Sequence, residues 1–197
     1  RPYIGTKEGH FTRTSNRHDY ALAPFSKTAL DSLKDAGLDV IGVGKIPDIF
    51  VDQGITRKIK TVSNEDGMNK TIELASDNFN GLAFINLVDF DAVYGHRRNA
   101  AGYGKAIEEF DVQLGELINE LKNDDLLMVT ADHGNDPTYR GTDHTREQVP
   151  LIIYSKQFNE MKVLNDGDSF GIIGSTICDN FNVKYNGIGS SILELLK

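Results

Sequence analysis

The stretch Leu82-Ala83-Phe84-Ile85-Asn86-Leu87-Val88 sets six apolar residues out of seven and runs straight into Asp89-Phe90-Asp91. An amphipathic helix would interrupt such a run every third or fourth position, and a half-buried antiparallel strand would alternate. A short, nearly continuous run predicts a strand buried on both faces, as in a parallel sheet covered by helices. Working outward, Leu38–Val43, Leu126–Val129 and Pro150–Tyr154 read the same way. Helices are predicted at Ser26–Ala36, with Gly37 as the stop, at Asp66–Ser76, and at Ala101–Leu121. In the last, Tyr103, Ile107, Phe110, Leu114, Leu117 and Leu121 recur at spacings of three and four and mark the buried face. Residues 46–63 read as a helical turn and a loop. Residues 170–181 and 189–196 read as closing helices. Strands alternating with helices predict an α/β fold, a mostly parallel sheet sandwiched by helices through right-handed crossovers.

The chain has 197 residues, with Lys+Arg 21 against Asp+Glu 29 and a net charge of −8. That balance argues against a nucleic-acid coat. Residues 1–60 hold ten basic against seven acidic residues, while residues 61–197 hold 11 against 22. A basic start suits an anionic substrate, and an acidic remainder suits cations. The single cysteine, Cys178, makes no internal disulfide and reads as core, which fits a reducing compartment. No apolar run approaches the ~18 residues of a membrane span, and nothing at the start reads as a signal peptide. A cytoplasmic protein with no membrane or nucleic-acid partner is expected. The chain opens on Arg1-Pro2-Tyr3 without a Met, so a natural beginning upstream is expected.

Open α/β sheets bind ligands beyond the carboxyl ends of their strands. Those ends are where the unusual residues fall. The first strand runs into Lys45, the second into Asp91 and His96, and the third into Asp132-His133-Gly134-Asn135. His144 precedes the last strand. A lone Asp-His pair reads as a cap beside a surface histidine. Repeated at several strand ends, Asp and His read as ligands for Mn²⁺, Zn²⁺ or Mg²⁺. Gly42-Val43-Gly44-Lys45 hints at a phosphate loop, but Asp39 stands where its first glycine belongs and Ile46 where Ser or Thr belongs.

Asp132-His133-Gly134-Asn135-Asp136-Pro137-Thr138 and Gly141-Thr142-Asp143-His144-Thr145-Arg146-Glu147 resemble the C-terminal part of the bacterial phosphopentomutase family, within the alkaline phosphatase superfamily. Tyr94-Gly95-His96-Arg97-Arg98, Phe11-Thr12-Arg13-Thr14 and Asn16-Arg17-His18-Asp19-Tyr20-Ala21 are similar to the same family. Cofactor-independent phosphoglycerate mutases share the Asp-His-Gly-Asn run. Their other motif spaces Asp and His by four, however, whereas Asp91 and His96 are five apart.

The resemblance implies interconversion of ribose 1-phosphate and ribose 5-phosphate, and of the deoxyribose pair. It implies two Mn²⁺ ions, a phosphorylated threonine and a sugar bisphosphate activator. On that basis Asp91, His96 and His144 hold one ion. Asp132 and His133 hold the other, together with an aspartate and the threonine from the family's N-terminal half. Arg13 and Lys45 contact substrate phosphate. Residues 1–22 correspond to the tail of an inserted cap domain and its return to the core, and residues 23–197 to the metal-binding core. With the nucleophile and one ligand lying in that other half, the 197 residues by themselves are expected to be inactive. Arg97 and Arg98 read equally well as phosphate contacts or as surface or carboxylate-pairing arginines, and Asp89 as a supporter of a ligand or as a cap.

Overall fold

The computed structural model describes residues 3–13 and 21–196. Arg17 and His18, quoted above for the resemblance, lie outside the described residues, as does the rest of 14–20. The chain begins with an antiparallel hairpin of β1 (Tyr3–Ile4) and β2 (Thr12–Arg13), in which Tyr3 pairs with Arg13. Helix α1 (Ala29–Asp35) follows. It starts because Thr28 and Asp31 form a reciprocal capping box, each satisfying a backbone N–H that the first turn leaves without a partner.

Strand β3 (Asp39–Val43) is the centre of the fold. Its residues alternate between two cores. Val40 packs with Leu30 and Leu33 of α1, Ile46, Ile55 and Cys178. Ile41 and Val43 pack with Leu74 on the opposite face. Leu33 and Val40 are fully buried, and each stabilises the fold by roughly 1.5–3 kcal/mol through loss of apolar contact with water. Cys178 sits in this core as expected, and burial raises its thiol pKa. Gly44 ends the strand with φ +77, and a Cβ there would lie 2.6 Å from the Asn86 carbonyl oxygen, so only glycine lets the chain turn toward Lys45.

After α2 (Ile46–Ile49) comes a strand the sequence did not announce, β4 (Arg57–Ile59). It pairs parallel to β3 at Ile41, Gly42 and Val43. Arg57 and Lys58 are exposed, as charges on an edge strand usually are, so β4 carries no apolar signature. Helix α3 (Asn64–Ser76) is capped by the Ser63 hydroxyl and begins two residues before the predicted start. Strand β5 (Gly81–Ile85) pairs parallel to β3 on its other side, giving the order β4-β3-β5. The apolar run is therefore a parallel strand, but it ends at Ile85 and is half-buried rather than buried on both faces.

Helix α4 (Ala100–Glu120) packs against α3, and Gln113 Nε2 donates to Asn69 Oδ1 across the joint. Its buried face carries Ala106 and Leu117, while Ile107 is 49% exposed. The three-and-four spacing fits either residue, and Ala106 is the buried one. Strands β6 (Leu127–Thr130) and β7 (Leu151–Tyr154) form an antiparallel pair. A parallel neighbour needs a crossover, usually a helix, to carry the chain back. Residues 131–150 hold no helix, so β7 returns alongside β6 in the opposite direction. The parallel sheet is thus smaller than the sequence suggested.

Helix α5 (Gly171–Asn180) packs against α1. The predicted helix at 189–196 is only a 3₁₀ turn, Leu193–Leu195. The Ile192 amide there donates to the Thr176 hydroxyl, and the Leu193 amide to the Ser191 hydroxyl, so side chains compete for the donors a longer helix would use. No helix among the described residues is long and apolar enough to cross a membrane.

Candidate metal centre

The site grows from the carboxyl end of the parallel sheet. Beyond β5, Asp89 and Asn64 exchange hydrogen bonds. The Asn64 amide donates to Asp89 Oδ2 at 2.7 Å, and the Asp89 amide donates to Asn64 Oδ1 at 2.9 Å. Asp89 therefore fastens the start of α3 and is not one of the converging ligands. The next residues, Phe90–Gly95, form a π-helical turn. Phe90 anchors it against Tyr103 and Phe110 of α4, at ring-centroid distances of 5.6 and 6.1 Å. The His96 amide donates to the Asp91 carbonyl, five residues back, at 2.9 Å. That wide turn, rather than an α-turn, stacks two side chains five apart in sequence on one side.

Three side chains converge. Asp91 Oδ2 lies 3.3 Å from His96 Nε2, and Asp91 Oδ1 lies 3.2 Å from His144 Nε2. The two imidazole Nε2 atoms are 3.1 Å apart. All three ligand atoms fall within 4.8 Å of one another. His96 Nδ1 contacts the Thr142 carbonyl oxygen. A carbonyl oxygen only accepts, so Nδ1 carries the hydrogen and the Nε2 lone pair faces the cluster. Two imidazole nitrogens and a carboxylate are a donor set that can hold a divalent transition metal ion.

His133 stacks on His144, with centroids 3.7 Å apart and ring planes 20° from parallel. Its Nδ1 faces the Gly134 carbonyl, which turns Nε2 toward Asp132 Oδ2 at 3.7 Å. Asp132 is 72% exposed and stands outside the tight triad. Lys45 lies past β3 at the start of α2, paired with Asp48 at 3.5 Å, at the same end of the sheet as Asn86 and the turn that follows it. Arg13 is a β2 backbone position opposite Tyr3, and its side chain lies outside the described features. The structure thus brings Asp91, His96 and His144 together with His133 against them. Asp132 stands at the margin, and Lys45 lies on the same edge.

The loop carrying Asp132, His133 and His144 is tied by polar contacts that the sequence did not announce. The Thr145 amide donates to the Gly134 carbonyl at 3.1 Å, and the Asp136 amide donates to the Thr145 hydroxyl at 2.7 Å. Hydrogen bonds from the Thr138 hydroxyl and amide hold the Asp136 carboxyl below its ordinary pKa, and the charge of Arg98 adds to the effect. Arg98 sits at φ +53 and reaches backbone carbonyls and an amide oxygen of the loop. Its Nη1 donates to Asn135 Oδ1 and the Asp136 carbonyl, both at 2.7 Å, and to the Gly95 carbonyl at 3.2 Å. Its Nε and Nη2 reach the Gly141 and Asp143 carbonyls. Arg97 is exposed. Asn135 in turn donates from Nδ2 to Asp91 Oδ1 at 2.7 Å. Burial raises the Tyr103 phenol above its ordinary value, and the Asp91 charge pushes the same way. Asn135 carried one signal in the sequence, its place two residues after His133, but nothing there said which ligand it would touch.

Residues 3–185 match the metalloenzyme superfamily, and the chain belongs to it. Among curated proteins it is similar to the phosphopentomutases of Agathobacter rectalis and Clostridium botulinum, each 58% identical over 198 residues. The phosphopentomutase of Clostridium beijerinckii is 56% identical over the same length. Each likeness covers 100% of this chain and 50% of the relative, so the chain spans about half the length of the proteins it matches.

Proposed function

We propose that this chain is the metal-binding part of a phosphopentomutase, which interconverts ribose 1-phosphate and ribose 5-phosphate and the corresponding deoxyribose pair. The observation that carries the proposal is likeness at 58% identity along the whole chain to proteins of that name, together with the Asp91, His96 and His144 cluster. Asp91, His96 and His144 would hold one Mn²⁺, and Asp132 and His133 would contribute to a second. Bound there, two such ions polarise phosphoryl oxygens and neutralise the charge that develops in phosphoryl transfer. The residues of the chain orient that site. Phe90 fixes the π-turn, Thr142 sets the His96 tautomer, and Arg98 draws the 135–143 loop over Gly95. Arg13 and Lys45 would meet substrate phosphate, Arg through paired N–H groups and Lys as a point charge.

Residues 1–22 would be a cap-domain tail and residues 23–197 the core. The phosphothreonine and a further aspartate ligand are assigned to no residue here, so turnover is proposed for a longer protein and a sugar bisphosphate for its priming. In a protein joining this chain to a segment matching the other half of the relatives, Asp91→Ala should abolish Mn²⁺-dependent turnover of ribose 1-phosphate. Full activity in that variant would refute the metal assignment. Turnover of phosphoglycerate but not of pentose phosphate would refute the substrate assignment.

A further inference from the structure

We infer that Asn135 is a positioning residue that fixes the rotation of the Asp91 carboxylate against the two imidazoles and thereby sets how tightly the site holds a divalent cation. The inference rests on the metal reading above and goes beyond it to a residue given no role there. Asn135 is 8% exposed, a buried polar side chain beside the triad. Its amide cannot turn over. Arg98 Nη1 only donates, so it must meet the Asn135 carbonyl oxygen, at 2.7 Å. The Nδ2 hydrogens are then aimed at Asp91 Oδ1, 2.7 Å away. A flipped amide would set two donors against Arg98 and two acceptors against each other.

Gly95 makes room for this arrangement. A Cβ at residue 95 would lie 2.5 Å from Asn135 Nδ2. The N–H takes one lone pair of Oδ1 and fixes the rotation of the carboxylate. So held, Oδ1 faces His144 Nε2 at 3.2 Å and Oδ2 faces His96 Nε2 at 3.3 Å. Without the amide the carboxylate turns freely about its bond and leaves that alignment, which weakens the grip of the three side chains on a divalent ion.

The test is titration of Mn²⁺ into the protein, with free Mn²⁺ read by electron paramagnetic resonance. The variants are Asn135→Ala and Asn135→Leu, the second close to asparagine in shape, with far-UV circular dichroism to confirm folding. Mn²⁺ affinity should fall about 10–100-fold, as for loss of a ligand-orienting hydrogen bond. A folded variant that keeps the parent's Mn²⁺ affinity overturns this inference alone. A parent protein that binds no Mn²⁺ overturns the metal reading and this inference with it.

Discussion

Replacing Arg98 with alanine removes the side chain that fastens the 135–143 loop to the turn carrying Asp91. Three of its hydrogen bonds, to Gly95, Asn135 and Asp136, are half-buried, and those to Gly141 and Asp143 are exposed. Hydrogen bonds to a charged group contribute about 1.5–3 kcal/mol when well sheltered. The exposed carbonyls will turn to water at little cost, and the half-buried ones sit below the sheltered range. All three half-buried bonds come from Nη1, which has two hydrogens, so the long contact to Gly95 is shared and about 1 kcal/mol for each hydrogen predicts a loss of about 2 kcal/mol.

The backbone supplies an internal control. Arg98 sits at φ +53, which an L-residue adopts at a cost of about 1–2 kcal/mol. Arg98→Ala keeps that cost, and Arg98→Gly relieves it. Glycine's extra freedom in the unfolded chain returns about 0.4–1 kcal/mol of the gain. Arg98→Gly should therefore be more stable than Arg98→Ala by about 0.5–1 kcal/mol although it makes no more contacts. Urea unfolding followed by circular dichroism measures both differences. An alanine variant within about 0.5 kcal/mol of the parent, the usual range of surface substitutions, would refute the view that Arg98 fastens the loop. A glycine variant less stable than the alanine variant would refute the backbone argument.

Two further outcomes are expected. Leu33→Ala, at a fully buried position beneath β3, should cost about 2–5 kcal/mol in urea unfolding, and an unchanged midpoint would place the core elsewhere. Burial alone would raise the Asp31 carboxyl pKa, but hydrogen bonds from Gln53 and Thr28 outweigh it and bring it below its ordinary 3.8. Its contribution is therefore full above that value and lost as pH falls through the lower folded value. The stability advantage of the parent over Asp31→Asn should be present at neutral pH and vanish in acid, and an advantage that grows as pH falls would reverse the sign of the argument.

What the sequence disclosed followed from how many neighbours each feature needs. Val40 and Ile41 announced a doubly covered strand because burial on both faces requires apolar residues in succession. Gly37 announced the end of α1 because a helix stop is local, whereas the caps Thr28 and Ser63 passed unread among other polar residues and both helix starts were misplaced. Strand β4 stayed hidden because an edge strand bonds through its backbone, and Arg57 and Lys58 say nothing of that. The antiparallel β6–β7 pairing depends on the path of residues 131–150, which has no periodicity to read. Asp91, His96 and His144 stood out by chemical type and by their place after strands. Asn135 and Arg98 did not, since an asparagine and an arginine in a polar loop resemble many solvated ones. Their meaning lies in which carbonyls and carboxylate the folded loop brings to them.

The π-helical turn at Phe90–Gly95 has a consequence for how the site tolerates change. An α-helix advances about 100° per residue, so side chains four apart share a face, and the wider turn brings a pair five apart to that same bearing. Deleting one residue between Asp91 and His96, Ala92 or Val93 for instance, would let the turn relax to an ordinary helix and leave the two side chains on one side. Replacing either side chain admits no such relief. The site would thus accept the loss of a codon from this turn more readily than a change of letter at Asp91 or His96.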